Sequence, residues 1–476
     1  MILAFEFEYL GDSEILEHFL ACFSENLESS VLKDKDLITL FAKGSDDELL
    51  KFSDKLSQEL PYSIFTQSSK VYTCEKMLGE KPKKITKTTS NITPFMVRNF
   101  LENNKLCKNE FGVFSEIRVF EKNVDEASFF KLLEASFNEL KEGKTLKLSA
   151  FGSKFQIQIL YDFAPFDFVM PTNLKATNKI FKADERVLSL LASFEKPRIK
   201  LCTNALFAQN HPELDGSFYV KAPQDIFTYA LCAKLFNEGI NFIGVKELDQ
   251  SSFLQVNVAK NSILALMPRS DTEPLGDYFE INLNKDVADG VYLVFKNQKI
   301  PLLFFPKFNS LSQIYEIIKL DESGKKLIEN FSKNHELPDK NLSGLANVFE
   351  LLCVVGMILG VDFQKFIDGA FEFWANNGVL IDAKSDGNEF LSTKFIKSAM
   401  SFYLATAGRK NIAFGCVQSL AGFLSDSLLK NELEIKDVIF GGDLFKNECI
   451  SAVFMHEFSA NFNVKFDKNL GTMVKI

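Results

Sequence analysis

The feature that most limits what this chain can fold into is a break in its apolar pattern. Residues 79–94, GEKPKKITKTTSNITP, carry Lys, Thr, Ser, Asn and two Pro with almost nothing apolar. A stretch of this kind cannot supply a core face, so a linker is expected there. With 476 residues the chain exceeds one ordinary core, and two to four domains are expected.

Before the break the pattern is that of a small α/β unit. Phe5, Phe7 and Tyr9 alternate with Glu6 and Glu8, the period of a half-buried strand. Asp12 or Ser13 can cap a helix whose apolar face holds Ile15, Leu16, Phe19, Leu20 and Phe23. A second strand, Leu37 to Ala42, ends at Gly44. Asp46 then opens a helix with Leu49, Leu50, Leu56 and Leu60, stopped before Pro61. Strand, helix, strand, helix within residues 1–77 suggests a ferredoxin-like sandwich, followed by a linker over 78–94. Residues 95–272 mix strands such as Lys147–Phe151 with helices such as Asp184–Ser193. A second boundary is expected near Asp271-Thr272-Glu273-Pro274. Residues 273–476 offer a hairpin (Val291–Phe295, turn at Asn297-Gln298, Ile300–Phe305) and helices around Leu345–Leu359 and Ile412–Leu429. A strand at Glu434–Phe440 then runs into Gly441-Gly442. The fold class expected is α/β (α+β) and multidomain.

Charge and composition exclude several functions. The formal net charge is −9, which argues against broad nucleic-acid binding because that needs basic surface to displace counterions. Only six of the 54 basic residues are Arg (98, 118, 186, 198, 269 and 409), so bidentate anion clamps are scarce. Glu6 follows the start too closely for a secretory leader. The most apolar run, Leu351 to Val361, lies between Glu350 and Asp362 and falls short of the roughly 20 residues that cross a bilayer. A cytoplasmic protein without a membrane span is therefore expected. The eight Cys form no CxxC pair and the four His form no HxxxH, so neither a disulfide framework nor a zinc site has support.

Three short motifs have two readings each. Gly143-Lys144-Thr145 looks like the end of a P-loop, but Asn138 stands where that motif needs Gly and the preceding residues read as helix. A helix C-cap followed by a strand is the better reading. Gly441-Gly442 follows the β-branched pair Val438-Ile439 and precedes Asp443 to Asn447. Such glycines let backbone N–H groups approach a phosphate, while the plain alternative is a tight strand-to-helix turn. Lys81, Lys83, Lys84 and Lys87 read as a solvated linker, and His456 as a packed or exposed side chain.

Several segments taken in order resemble HypF, the carbamoyl-transfer family of nickel–iron hydrogenase maturation. DERVLSLLASFEKPRIKLC, ending at Cys202, and VKAPQDIFTYAL, Val220 to Leu231, resemble consecutive stretches of that family's YrdC-like domain. Ser343 to Gly356 resembles a helix of its Kae1-like domain, with Phe349 and Glu350 at the Phe-Asp positions. FGGDLFKN, Phe440 to Asn447, is similar to its "L-S-G-G-V-F-Q-N". The resemblance implies an acylphosphatase-like first domain (1–77), a YrdC-like second (95–272) and a partial Kae1/actin-like ATPase-type third (273–476). It also implies Gly441, Gly442 and Asn447 as nucleotide contacts, and Lys196 and Arg198 as anion contacts in the middle domain.

The departures from the family fall on its chemistry. No Arg precedes Arg98, so the first domain lacks a phosphate-holding guanidinium. The family's paired-Cys zinc fingers are absent, and no Thr-Ser-Gly/Ala-Asn signature occurs around Ile240 to Asp249. Gln364-Lys365 and Cys416-Val417 replace an "E-G" and an "F-H". Asp443 replaces a phosphate-facing glycine, and a carboxylate there repels phosphate. Asn469-Leu470-Gly471-Thr472 replaces "N-D-G-G", and Leu cannot ligate a metal. The chain is similar to a short form of the family, the HydE type, encoded with quinone-reactive nickel–iron hydrogenases. The expectation is an assembly factor without turnover or cofactor, partnered with the hydrogenase large subunit or other maturation proteins. The alternatives are an ATP-dependent carbamoyl or acyl transferase with rearranged ligands, and a nucleotide- or RNA-binding module.

Overall fold

The computed structural model describes the chain except residues 87–90, 115, 151–152, 161–165, 215, 250–252, 269–275, 375–376, 431–433 and 476. Arg269, Lys87 and the expected boundary at 271–274 lie outside the described residues. Two compact units result, Met1–Gln255 and Val256–Lys475.

The amino-terminal unit starts with β1 (Ile2–Tyr9), α1 (Ser13–Phe23), β2 (Glu28–Asp34), β3 (Leu37–Lys43), α2 (Asp46–Glu59) and β4 (Thr66–Thr73). The strands form an antiparallel sheet in the order β2-β3-β1-β4, the ferredoxin-like arrangement. The alternation in β1 does what its period requires. Phe5, Phe7 and Tyr9 are buried and Glu8 is exposed. Asp12 caps α1 by accepting from Glu14 N at 3.0 Å. A Ser45–Glu48 capping box opens α2. Pattern reading missed β2 and β4. Both are polar edge strands, with little apolar alternation to announce them.

The polar stretch after β4 does not run free. Val31 and Glu80 exchange backbone hydrogen bonds of 2.7 and 3.0 Å. Lys83 N donates to Glu17 Oε1 at 2.9 Å, and Ile85 N donates to His18 Nδ1 at 3.0 Å. Its apolar poverty matches its use: it is held by backbone groups, not by side-chain burial.

The unit continues with α3 (Pro94–Asn103), β5 (Ile117–Val119), β6 (Lys122–Asn123), α4 (Phe129–Lys141), β7 (Leu146–Ala150), β8 (Ser153–Ile159) and β9 (Phe168–Pro171). Then come α5 (Glu185–Ala192), β10 (Arg198–Cys202), α6 (Ala205–Asn210), β11 (Ser217–Val220), α7 (Ile226–Asn237) and β12 (Phe242–Glu247). Its strands lie in the order β10-β11-β9-β12-β8-β7-β5-β6. Phe129, Leu140, Ile157, Phe227 and Val245 pack beneath α4 and α7. Gly143, at φ +76°, ends α4 and β7 follows, so Gly143-Lys144-Thr145 is a C-cap and a strand start.

The carboxy-terminal unit holds β13 (Gln255–Val258), β14 (Ser262–Ala265), β15 (Tyr278–Asn282), β16 (Gly290–Phe295), β17 (Gln298–Leu303), α8 (Leu311–Ile318), α9 (Glu322–Asn334), α10 (Val348–Ile358) and α11 (Phe363–Phe373). These are followed by β18 (Ser385–Asp386), β19 (Glu389–Phe390), α12 (Ser392–Leu404), α13 (Arg409–Leu429), β20 (Asp437–Gly441), α14 (Glu448–Ser459), β21 (Asn463–Phe466) and β22 (Thr472–Lys475). Its main sheet runs β17-β16-β15-β20-β21. The strands β15, β20 and β21 are parallel and the β15–β16–β17 meander is antiparallel. The hairpin turns one residue earlier than expected, at Lys296 and Asn297, both at positive φ (47° and 63°). A two-residue hairpin turn needs that hand to match strand twist. The apolar run at 351–361 is the buried face of α10. Helix α13 is long and apolar enough to cross a bilayer, and 67% of its apolar window is buried inside the fold. It is read as a core helix on that ground.

Candidate functional site

The glycine turn of the carboxy-terminal unit follows β20. Strand β20 runs parallel to β15 with Asn282 beside Gly441. A Cβ on Gly441 would stand 2.1 Å from Asn282 Oδ1, and a Cβ on Gly442 would stand 2.1 Å from Leu283 O. Gly442 sits at φ +93°, ψ 153°, a conformation essentially restricted to glycine. The glycines thus admit a neighbouring segment of the same chain. Leu283 N donates to Gly441 O at 2.9 Å and Leu444 N donates to Leu283 O at 3.1 Å.

The polar side chains around this turn are equally engaged. Asp443 Oδ1 accepts from Lys285 N at 2.9 Å. Asn447 caps α14, its Oδ1 accepting from Cys449 N at 3.0 Å and Ile450 N at 3.2 Å. Asp289 accepts from Asn284 N and Val348 N, each at 2.6 Å. Burial pushes its carboxyl up to about 7, against its backbone hydrogen bonds and with help from Asp443. Asn347 Nδ2 donates to Lys285 O and Val287 O at 3.1 and 3.0 Å. Of the three residues expected to touch nucleotide here, two serve backbone approach and one serves helix capping. Two surface grooves of this unit, about 940 and 670 Å³, are lined by other residues.

Lys196 and Arg198 lie in the amino-terminal unit, where a third cation joins them. Lys196 adopts φ +47°, uncommon for a side chain other than Gly, Asn or Asp. Its ammonium donates to Ala192 O, and burial pushes its pKa down to about 8. Lys221 directly follows β11 and is fully buried. Its Nζ donates to Lys196 O at 2.5 Å and lies 4.6 Å from the Phe253 ring centroid. Burial, then the charges of Lys196 and Arg198, hold Lys221 well below the ordinary lysine range. Arg198 meets Glu247 at 3.4 Å and stacks over Tyr219 at 4.9 Å. Its buried Nε has no hydrogen-bond partner among the described residues.

Three basic side chains therefore cluster in a low-dielectric interior, with the carboxylates of Glu195, Asp225 and Glu247 as nearby counter-charges. Chemically this arrangement can hold an anion. Sequence reading missed Lys221, although a lysine between Val220 and Ala222 at a strand end was a usable signal.

Other reactive groups are already engaged. Beyond β1, Leu10 N donates to Phe65 O at 2.9 Å. Cys22 Sγ lies 3.6 Å from His18 Nε2, but His18 Nδ1 accepts from Ile85, so the proton sits on Nε2. That nitrogen faces Glu110 O at 3.1 Å and cannot act as a base toward the thiol. Burial pushes the Cys22 thiol up and His18 down. Among the described residues no group of three or more His, Cys, Asp or Glu is placed to hold a metal ion.

Compared with known proteins, the fold matches solved HypF structures end to end. HypF of T. kodakarensis superposes with a TM-score of 0.59 at 10% identity, covering 98% of this chain and 95% of that one. A full-length HypF in its phosphate- and nucleotide-bound form gives 0.56 at 10% identity, covering 99% and 96%. In sequence, Protein HydE of Wolinella succinogenes is 23% identical over 485 residues, spanning 85% of this chain and 87% of that protein. No protein-family model matches the chain. The fold is HypF-like, as the order of the motifs suggested, and HydE is a sequence relative along most of the chain's length.

Proposed function

We propose that this chain is an accessory factor of nickel–iron hydrogenase assembly. It acts as a HypF-like scaffold in the cytoplasm that binds the hydrogenase large subunit or another maturation protein and does not transfer a carbamoyl group. The domains read as acylphosphatase-like, YrdC-like and Kae1-like. The observation that carries the absence of turnover is the Gly441–Asp443 turn. Its glycines are closed by Asn282 and Leu283, and the Asp443 carboxylate, which accepts from Lys285 N beside the turn, would repel a phosphate brought to it. The test is affinity capture from hydrogenase-expressing cells together with an ATP hydrolysis assay. Recovery of hydrogenase or maturation components with no hydrolysis is expected. Hydrolysis that needs the Gly441 turn would overturn the reading.

A second reading is favoured by the Lys196, Arg198 and Lys221 pocket. Here the YrdC-like part keeps affinity for an anionic ligand such as a nucleotide phosphate without processing it. Calorimetry with ATP and with inorganic phosphate, on wild type and Arg198→Met, tests this. Binding that disappears in the variant supports it, and no heat in either protein removes it. RNA binding is the weakest reading at a net charge of −9, and filter binding at two salt concentrations checks it.

A further inference from the structure

Sheet edges expose unpaired N–H and C=O groups, and proteins usually blunt them. This chain blunts several of its own. The edge of β2 is bridged by Glu80. Beside β17, which contains Pro301, Phe304 N donates to Asn388 O at 2.9 Å and Phe304 O accepts from Phe390 N at 3.0 Å. The edge strand β6 has two residues.

Strand β4 is different. It has eight residues without Pro or Gly, and Ser68 to Thr73 are exposed. Cys74 N donates to Ile2 O at 3.1 Å. By antiparallel alternation, Tyr72, Lys70 and Ser68 then direct their peptide groups toward β1, while Ser69, Val71 and Thr73 direct theirs outward. Among the described residues those outward groups have no hydrogen-bond partner. Val71 and Tyr72 are also 53% and 41% exposed, an apolar pair on the open edge.

We infer that β4 is a self-association edge, and that a second copy of this chain pairs with it antiparallel about a twofold axis through Val71. Register argues for this occupant. Outward groups oppose one another only when the axis falls on alternate pairings. An axis through Lys70 would set two ammonium groups face to face, which is unfavourable. An axis through Val71 pairs Val71 with its copy and Ser69 with Thr73. It also lays Lys70 against Tyr72 of the second copy. Within one chain Lys70 Nζ already lies 5.8 Å from the Tyr72 ring and 2.8 Å from Glu6, so the cation would stay flanked by a carboxylate and an aromatic face. The surface is self-complementary, as a twofold contact must be.

The experiment is sedimentation equilibrium of the full chain over a wide concentration range, with Val71→Pro and Val71→Lys as variants. Proline is tolerated on an edge where the N–H faces outward, so Val71→Pro removes a dimer hydrogen bond and leaves the β1 ladder intact. The wild type is expected to rise from 53.9 kDa toward twice that mass. Each copy of the proline variant loses one bond, so its association should be about thirtyfold weaker. Val71→Lys, which sets like charges at the axis, should be monomeric. Circular dichroism checks that both variants are folded. A wild type that stays monomeric throughout overturns the proposal, as does unchanged association in folded Val71→Pro. Hydrogen-exchange protection of Ser69 to Thr73 that appears only on adding another protein would also overturn it.

Discussion

The glycine turn after β20 and the cation pocket behind β10 and β11 handle polar groups in opposite ways. At the turn several backbone donors are met. Leu283, Lys285, Cys449 and Ile450 N–H groups all find oxygen within the same unit. In the basic cluster, Lys196 and Lys221 donate to carbonyls with Glu195, Asp225 and Glu247 as nearby counter-charges, and only the buried Nε of Arg198 is left without a hydrogen-bond partner among the described residues. Burying a group without a partner is expensive, so the two sites differ in what they leave undone. The turn spends its glycines and polar side chains on the chain's own segments, whereas the basic cluster leaves a buried guanidinium N–H, Arg198 Nε, that a ligand could satisfy. A fold shared with a nucleotide-bound HypF structure therefore does not imply that both regions act alike.

The sharpest way to break this comparison is Gly442→Ala. The new Cβ would meet Leu283 O in a conformation only glycine adopts, and about 4 kcal/mol of the carboxy-terminal unit's stability should be lost. Urea unfolding measures it, and a neutral outcome would mean the turn is roomy.

The next effect is acid-side. Asp289 has a folded pKa of about 7 against 3.8 unfolded, so the folded chain binds more protons between those values. This group's contribution to stability is then greatest below about pH 4 and falls as pH rises through 7, by about 4 kcal/mol in total. Asp443→Asn should shift that limb toward acid, read from melting temperature against pH.

The pocket should behave oppositely on the alkaline side. Lys196 and Lys221 titrate below the ordinary 10.5, so the folded chain binds fewer protons there and stability rises with pH, from about 8 to 10.5 for Lys196. Lys221→Met should flatten its share of that rise and stabilise the unit at pH 7 by about 1–2 kcal/mol. If saturating phosphate stabilises the wild type but not Lys221→Met, the pocket is a ligand site. If neither protein responds, it is structural. Smallest is Asn447→Ala, which removes the α14 cap and should cost about 1 kcal/mol, measured by the same urea titration, with no change in phosphate response.

The strongly periodic elements were legible in the sequence. The alternation at Phe5–Tyr9, the helices at α10 and α13 and the β20 strand each bury a clear apolar set, and burial is what periodicity reports. Strands β2 and β4 were not legible because an exposed edge needs no such pattern. The role of Gly441 and Gly442 was open in the sequence because cradling a phosphate and admitting Asn282 call for the same missing Cβ. Lys221 was overlooked because its meaning depends on Lys196 lying across the β10–β11 pair, 25 residues away in sequence.

The contacts of residues 80–85 with β2 and α1 have a consequence for how the chain would be cut. By composition this is where a protease would be expected to nick first. Val31, Glu17 and His18 hold its backbone from one side, so cleavage there must wait for the segment to peel away. Severing the two flanking parts then becomes a readout of α1 loosening, not of loop exposure.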